Sequence, residues 1–235
     1  FIGCDQLILI EKDEISDARL RFFNSDGGES SACGNGTRCV ADLISKENGN
    51  KTIILTTLSG NLKSHILGDN LVTTEIGNAK IKWNEIPLAN ELDTKNLNIN
   101  IYDLTNIEYF GGTAVNVGNP NVVFFVKEIE DFDIAKIGPQ IENHKMFPEK
   151  CNVTIAKVIN KNLIKVKVWE RGAGLTKACG TAACATAFAG KLNNLTNNNT
   201  DIEFETGKLS IFIDDKNSIH MKGPVSDIKE ISIKL

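Results

Sequence analysis

No stretch of apolar residues in this chain approaches the roughly 20 needed to cross a bilayer as a helix, so no membrane partner is expected. Charge of one sign is lacking too. The 26 Lys and Arg against 30 Asp and Glu leave a net charge of -4, which gives no reason to expect nucleic acid or an anionic surface as partner. There are three histidines, His65, His144 and His220, and none lies in a glycine-rich polar turn where a Cys/His nucleophile pair would place one. The phosphate-loop pattern G-x-x-x-x-G-K-[ST] is missing, and Gly34-x-Gly36 alone is a weak phosphate signal. The six cysteines show neither a regular close-spaced framework nor a C-x2-C pair. That argues against a structural zinc site and for thiols in a reducing, cytoplasmic compartment. The chain begins at Phe1 without a methionine, which leaves room for a targeting segment upstream.

What is present is the composition of a folded globular protein, 41% hydrophobic and 24% charged. A length of 235 residues suits one large domain or two ordinary ones. An internal repeat favours two. Phe23 to Thr37 and Trp169 to Ala183 each run from an aromatic strand end through a polar, glycine-bearing loop into Ala-Cys-Gly-[Asn/Thr] and a small-residue helix. Cys33 and Cys179 are 146 residues apart, as are Gly77 and Gly223, while Gly60 and Gly207, and Cys4 and Cys151, are 147 apart. A spacing that survives across strand, loop and helix marks a duplicated unit. Two such units meeting face to face would set Cys33 and Cys179 looking at each other across a cleft.

In chain order, residues 1–10 predict a strand, with apolar Leu7 to Ile10, and Ala18 to Phe23 a half-buried strand alternating Leu20 and Phe22 with Arg19 and Arg21. Thr37 to Lys46 has helical periodicity and stops at Asn48-Gly49-Asn50. An antiparallel meander follows over 52–58, 62–67 and 71–76. Residues 80–107 are polar and asparagine-rich around Pro87 and read as the crossing between domains. The second unit begins with strands at 109–117 and 122–126 around the turn Gly118-Asn119-Pro120-Asn121 and a helix over 131–143. Strands at 152–159 and 163–169, a helix at 181–192 and a hairpin over 202–221 then retrace the first unit.

The expected architecture is therefore mixed α and β (α/β in the broad sense, α+β in detail). Two pseudo-symmetric domains, 1–87 with 224–235 and 88–223, would each wrap a mostly antiparallel sheet or barrel on a central helix, with the active site between them. The segment 108–150 has no counterpart in the first unit, so internal symmetry predicts roughly 40 further residues ahead of Phe1.

Cys4, Cys39, Cys151 and Cys184 sit among apolar neighbours and read as small buried hydrophobes. Cys33 and Cys179 differ. Each lies where a polar loop meets a helix N-terminus, where unpaired N–H groups and the helix dipole favour a thiolate. A thiol and a thiolate on opposite sides of a cleft suit inversion of a carbon stereocentre, in which one removes a proton from one face and the other delivers a proton to the opposite face. Two helix N-termini aimed at a carboxylate would stabilise the carbanion next to it, with no pyridoxal phosphate or metal required. A redox disulfide between the two is the alternative, expected only as an oxidised, inactive form.

The landmarks Cys4-Asp5-Gln6-Leu7, Phe23-Asn24-Ser25-Asp26-Gly27, Ala32-Cys33-Gly34-Asn35-Gly36-Thr37-Arg38-Cys39, Gly118-Asn119-Pro120, Glu170-Arg171-Gly172-Ala173-Gly174 and Ala178-Cys179-Gly180-Thr181 together resemble the diaminopimelate epimerase family over essentially the whole chain. The resemblance implies a cofactor-independent homodimeric isomerase of lysine and peptidoglycan precursor biosynthesis, interconverting LL- and meso-diaminopimelate. It implies Cys33 and Cys179 as the acid/base pair, and Gln6, Asn24, Asn35, Asn119, Asn152, Glu170 and Arg171 as substrate-binding residues. The backbone of Gly34, Gly180 and Thr181 would grip the reacting carboxylate. Arg171, one of only four arginines, would offer its planar donor fork to the distal carboxylate. For Arg171 the plain alternative is a surface cation, and for Asn24 and Asn152 it is loop capping.

The chain departs from the family pattern at Asn121, where histidine usually follows Gly-Asn-Pro and is associated with tuning the first cysteine. An amide holds a hydrogen bond but does not shuttle a proton at neutral pH, so slower turnover is expected. Gly174-Leu175-Thr176 replaces the common Gly-Glu-Thr, a milder change. The family's opening strand and Gly-x-Gly-Asn-Asp-Phe loop fall ahead of Phe1, so the chain as given is expected to be inactive or unstable. Two further readings stay open: a proline or hydroxyproline racemase, disfavoured by Glu170-Arg171-Gly172-Ala173-Gly174 where Asp-Arg-Ser-Pro-Cys would favour it, and a non-catalytic amino-acid-binding protein of the same fold.

Overall fold

Leu20 and Phe22 turn inward and Arg19 and Arg21 outward, as their alternation requires, on a strand inside the sheet of the first of two compact units. In a computed structural model of the chain, the residues described are 4, 6–24, 27–30 and 33–231. Asp5, Ser25, Asp26 and Ala32 of the motifs above lie outside them. One unit takes the chain up to Glu75 and from Lys222; the other is Ile76–Met221. The division falls at 75/76 where the sequence suggested 87/88, because Trp83 and the fully buried Ile86 pack into the second unit's core. The fold is mixed α and β, dominated by sheet, with few helices.

In the first unit, β1 (Gln6–Glu11) pairs antiparallel with β2 (Ala18–Asn24), and the short β3 (Glu29–Ser30) folds back on β2. Helix α1 (Gly34–Asn48) then crosses to β4 (Thr52–Thr57), which lies parallel to β2 with Ala18 opposite Leu55. Strands β5 (Gly60–Gly68) and β6 (Leu71–Asn78) continue the order β1-β2-β4-β5-β6. The helix starts three residues earlier than its periodicity implied, since Gly34, Asn35 and Gly36 carry no apolar signal. It stops at Gly49, whose positive φ of 77° lets its amide reach the Ser45 carbonyl at 2.8 Å. Val40 and Ala41 pack with Leu20, Phe22, Ile53, Leu55 and Val72.

The second unit repeats this plan and contains further elements. The region expected as a polar crossing instead contains β7 (Ile99–Tyr102), paired with β8 (Glu108–Gly111). Leu88, Leu97, Ile99 and Ile101 of that region are buried. Single apolar residues spaced among asparagines reach the core without forming a readable period. The strand expected over 109–117 is broken at Gly112 (φ 102°) into β8 and β9 (Thr113–Asn116). After β10 (Pro120–Phe125), a 3-10 turn at Ile129–Asp131 precedes α2 (Ile134–Glu142), which is capped by Asp133 accepting from the amides of Ala135 and Lys136.

Then β11 (Asn152–Asn160), β12 (Leu163–Glu170), the short β13 (Gly174–Thr176) folding back on β12, and α3 (Gly180–Leu192) follow. The last segment is three strands, β14 (Asn199–Phe204), β15 (Gly207–Ile213) and β16 (Ser218–Pro224), rather than a single hairpin. As β2 does with β4, β12 runs parallel to β14 across its helix, with Ile164 opposite Ile202. The order in this unit is β16-β15-β14-β12-β11-β10-β9, with the last two strands forming the part that the first unit lacks among its described residues.

Strand β10 and the first half of β11 are buried on both faces. On β10, Val122 and Phe124 join a cluster with Ile134, Ile137 and Ile141 of α2, while Val123 between them joins the cluster around α3. Ten of the 13 residues of α3 are buried, so it is a core helix without a solvent face, which explains its run of Ala, Gly and Cys. The α2 face touches the end of β12 closely: a Cβ on Gly138 would collide with Cβ, Cγ and Cδ2 of Trp169. Gly138→Ala is therefore expected to lower unfolding free energy by about 1–3 kcal/mol in urea titration. Gly111→Ala, at a position with nothing within 4 Å, should cost far less.

Candidate active site

Both repeated turns place a cysteine in the same backbone position. Strand β2 or β12 ends, β3 or β13 folds back on it, and the chain then enters a helix whose cap residue is Cys33 (φ -138°, ψ 105°) or Cys179 (φ -141°, ψ 117°). The extended cap conformation leaves the first N–H groups of the helix pointing out beside the sulfur. All six cysteines are thiols.

In the first unit Cys33 is half-buried, and its Sγ accepts from the Gly36 amide at 3.3 Å. That approach needs glycine at 36, since a Cβ there would sit 2.5 Å from Ile8 Cδ1 and 3.4 Å from Cys33 Sγ. Gly34 and Asn35 form the first turn of α1, and Asn35 Oδ1 accepts from Arg38 at 2.9 Å. Gln6 and Asn24 are cross-strand partners on β1 and β2, and Gln6 Nε2 donates to Asn24 Oδ1 at 2.9 Å. The register of one hairpin thus brings these two predicted residues together.

In the second unit Cys179 is 5% exposed. Its Sγ lies 3.4 Å from Thr181 Oγ1 and 4.0 Å from Asn152 Nδ2. Burial pushes the thiol well above its ordinary pKa, the nearby Glu170 carboxylate adds to that, and the Thr181 hydroxyl and Ala182 amide pull the other way. Asn152 is the hub. Its amide nitrogen also reaches Thr181 Oγ1 (3.3 Å) and Asn121 Oδ1 (3.2 Å), and its oxygen accepts the Arg171 backbone N–H at 2.8 Å. Asn121, fully buried, donates in turn to the Asn119 carbonyl and side-chain oxygens at 2.9 and 3.0 Å. Asn119, Asn152, Arg171, Cys179 and Thr181 therefore share one hydrogen-bonded network. Gly180 opens α3 beside it, and the charge of Glu170 is felt at the sulfur.

The contacts of Asn121 run through Asn152 to Cys179. Cys4 and Cys39, expected to be buried apolar residues, are exposed and half-buried respectively, while Cys151 and Cys184 are buried, as their apolar neighbours imply. Arg171 Nη1 donates to the Glu149 carbonyl at 2.8 Å.

Sequence reasoning missed Glu142. Its carboxylate is buried and accepts from Trp169 Nε1 at 2.7 Å and from the Gly172 amide at 3.1 Å. The available signal was a charged residue closing a helix whose inward positions are isoleucines at 134, 137 and 141.

Comparison with known proteins agrees with this picture. Among solved structures, the fold is similar to a hydroxyproline epimerase from Agrobacterium vitis, with a TM-score of 0.67 at 13% identity, covering 93% of this chain and 71% of that one. A phenazine biosynthesis protein of the PhzF family from Bacillus anthracis matches with a TM-score of 0.64 at 16% identity, over 99% and 86% of the two chains. The fold is thus the two-domain racemase and PhzF type. The family model described as diaminopimelate epimerase matches residues 1–82 and 113–228, and the part it passes over contains β7 and β8. The diaminopimelate epimerase of Pelagibacter ubique is 68% identical over all of this chain and 86% of its own length, and that of Phenylobacterium zucineum is 42% identical over 96% and 81%. The chain belongs to the diaminopimelate epimerase family of isomerases.

Burial holds Cys179, Cys151 and Cys39 above the ordinary thiol value of 9.0. Above about pH 9 the unfolded chain releases thiol protons that the folded chain keeps, so the unfolding free energy should fall as pH rises from there. Urea unfolding at pH 8, 9 and 10 checks this, and Cys151→Ala should show a shallower decline than wild type.

Proposed function

We propose that this protein interconverts LL- and meso-2,6-diaminopimelate by two-base proton transfer at the α-carbon, with Cys33 and Cys179 as the exchanging acid and base. One observation carries the reading: in a chain of this family, a duplicated strand–turn–helix junction sets a cysteine at the cap of α1 and again at the cap of α3 with matching backbone angles. The reading takes the chain as two epimerase domains, and its division into two compact units supports that.

In the forward direction one thiolate takes the α-proton, so that a C–H bond breaks and an S–H bond forms. The electron pair left on carbon delocalises into the α-carboxylate, and the other cysteine's S–H proton is delivered to the opposite face. Each turnover leaves the two sulfurs with exchanged protonation states and the enzyme set for the reverse reaction. The N–H groups of Gly34 on α1, and of Gly180 and Thr181 on α3, are the donors assigned to the charge developing on that carboxylate. Arg171 is assigned to the distal carboxylate, with Gln6, Asn24, Asn35, Asn119, Asn152 and Glu170 ordering the polar ends of the substrate. Burial keeps Cys179 protonated in the ligand-free protein, which suits it as the initial acid. The Gly36 amide and the α1 N-terminus favour negative charge on Cys33, which suits it as the initial base.

The family resemblance also supports a homodimer acting in the cytoplasm. Among the described residues no helix is long and apolar enough to cross a membrane.

The test is exchange of the α-proton of diaminopimelate for deuterium in D2O by the full-length protein. Wild type should exchange it, and Cys33→Ala and Cys179→Ala should each reduce interconversion on the order of 10³-fold. Exchange at wild-type rate in both variants would reject the thiol pair.

A further inference from the structure

The bend between β12 and β13 is tied down at successive positions by two buried side chains. Asn152 takes the backbone N–H of Arg171, and Glu142 takes both the indole N–H of Trp169 and the backbone N–H of Gly172. Inside the bend, the Ala173 amide closes on the Glu170 carbonyl at 3.1 Å, and Gly172 and Gly174 hold φ of 74° and 84°. Glu142 is an unexpected residue in its own helix. It occupies the last position of α2, where a carboxylate opposes the helix dipole, and no basic residue stands in that last turn. Its nearest cation is Lys150, with Nζ 4.0 Å from Oε1. A 6%-exposed carboxylate kept at such a position must be compensated, and its close partners are the two donors from the bend. Gly138, one turn earlier on the same face of α2, lies against the Trp169 side chain, so helix and bend meet at two points.

From this geometry we infer that Glu142 is a positioning residue, clamping the 169–172 backbone from which Glu170 and Arg171 arise. The inference rests on the proposed function for the roles of those two residues. Glu142 does not touch substrate in this scheme. It sets where the substrate-binding bend sits relative to α2 and Asn152.

Glu142→Gln keeps the shape and one carbonyl acceptor but turns an amide N–H₂ toward a donor, so one of the two bonds to the bend is lost. The Arg171 grip on a distal carboxylate is made equally in ground and transition states, so its loosening falls on KM. The expected result is a KM for diaminopimelate raised about tenfold, with kcat changed by less. Trp169→Phe, which removes the indole donor together with part of the ring, should raise KM in the same direction, and the double variant should fall short of the product of the two effects. In the ¹H–¹⁵N spectrum the Trp169 indole or the Gly172 amide signal, whichever loses its acceptor, should move upfield in Glu142→Gln, while that of Trp83, the other tryptophan, stays in place.

Wild-type KM in Glu142→Gln, or Trp169 indole and Gly172 amide signals that both stay in place, would overturn the inference. Should Glu142→Gln fail to fold, Trp169→Phe carries the same kinetic test, and an unchanged KM there is the overturning result. Absence of α-proton exchange in the wild-type protein would count against the proposed reaction, whereas the spectral shift judges the Glu142 clamp independently.

Discussion

A helix N-terminus carries backbone N–H groups with no partner inside the helix, and the chemistry proposed for this protein depends on what is set before them. Here it is sulfur, twice. At Cys33 and Cys179 the cap residue has the same extended backbone, entered through a strand end and a short strand folded back on it. Residues beyond the cap can then serve as donors because the helix begins immediately after the thiol.

The two junctions share a backbone but not an environment. Around Cys33 the local feature is a glycine amide and a tight approach by Ile8 and Phe22 that only glycine at 36 permits. Around Cys179 there is a core helix with no solvent face, a buried asparagine hub and a nearby carboxylate, and burial dominates the thiol's protonation. Two copies of one cap thus sit in different surroundings, and the segment containing β9, β10 and α2 supplies those of the second. Asn119 and Asn121 come from the β9–β10 turn and strand, and Glu142 from α2, all within that segment.

Much of the fold was legible because its signals are local. Period-two alternation marked β2, glycines marked the turns of the β4–β6 meander, and the repeated Ala-Cys-Gly marked both cap positions. The reading failed where position in space overrode composition. Residues 80–107 look like linker because asparagines separate their apolar residues, yet Ile86, Leu97, Ile99 and Ile101 are core. Gly112 looked like the middle of one strand and is the break between two, since its φ of 102° takes it out of the ladder. Cys4 sits next to an apolar run in sequence and is nonetheless exposed.

The sequence by itself determined the duplication, the pair of cysteines and the family, because these are patterns of residue identity and spacing that need no coordinates to read. Tertiary structure alone decided that Asn152 joins Arg171, Asn121 and Thr181 at Cys179, and that Glu142 holds Trp169 and Gly172. Those partners are 19 to 31 residues apart along the chain. A polar residue in a sequence carries no mark of whether its donors and acceptors will meet water or each other. Only the packing of α2 and β11 against the β12–β13 bend removes the water and leaves these groups to satisfy one another.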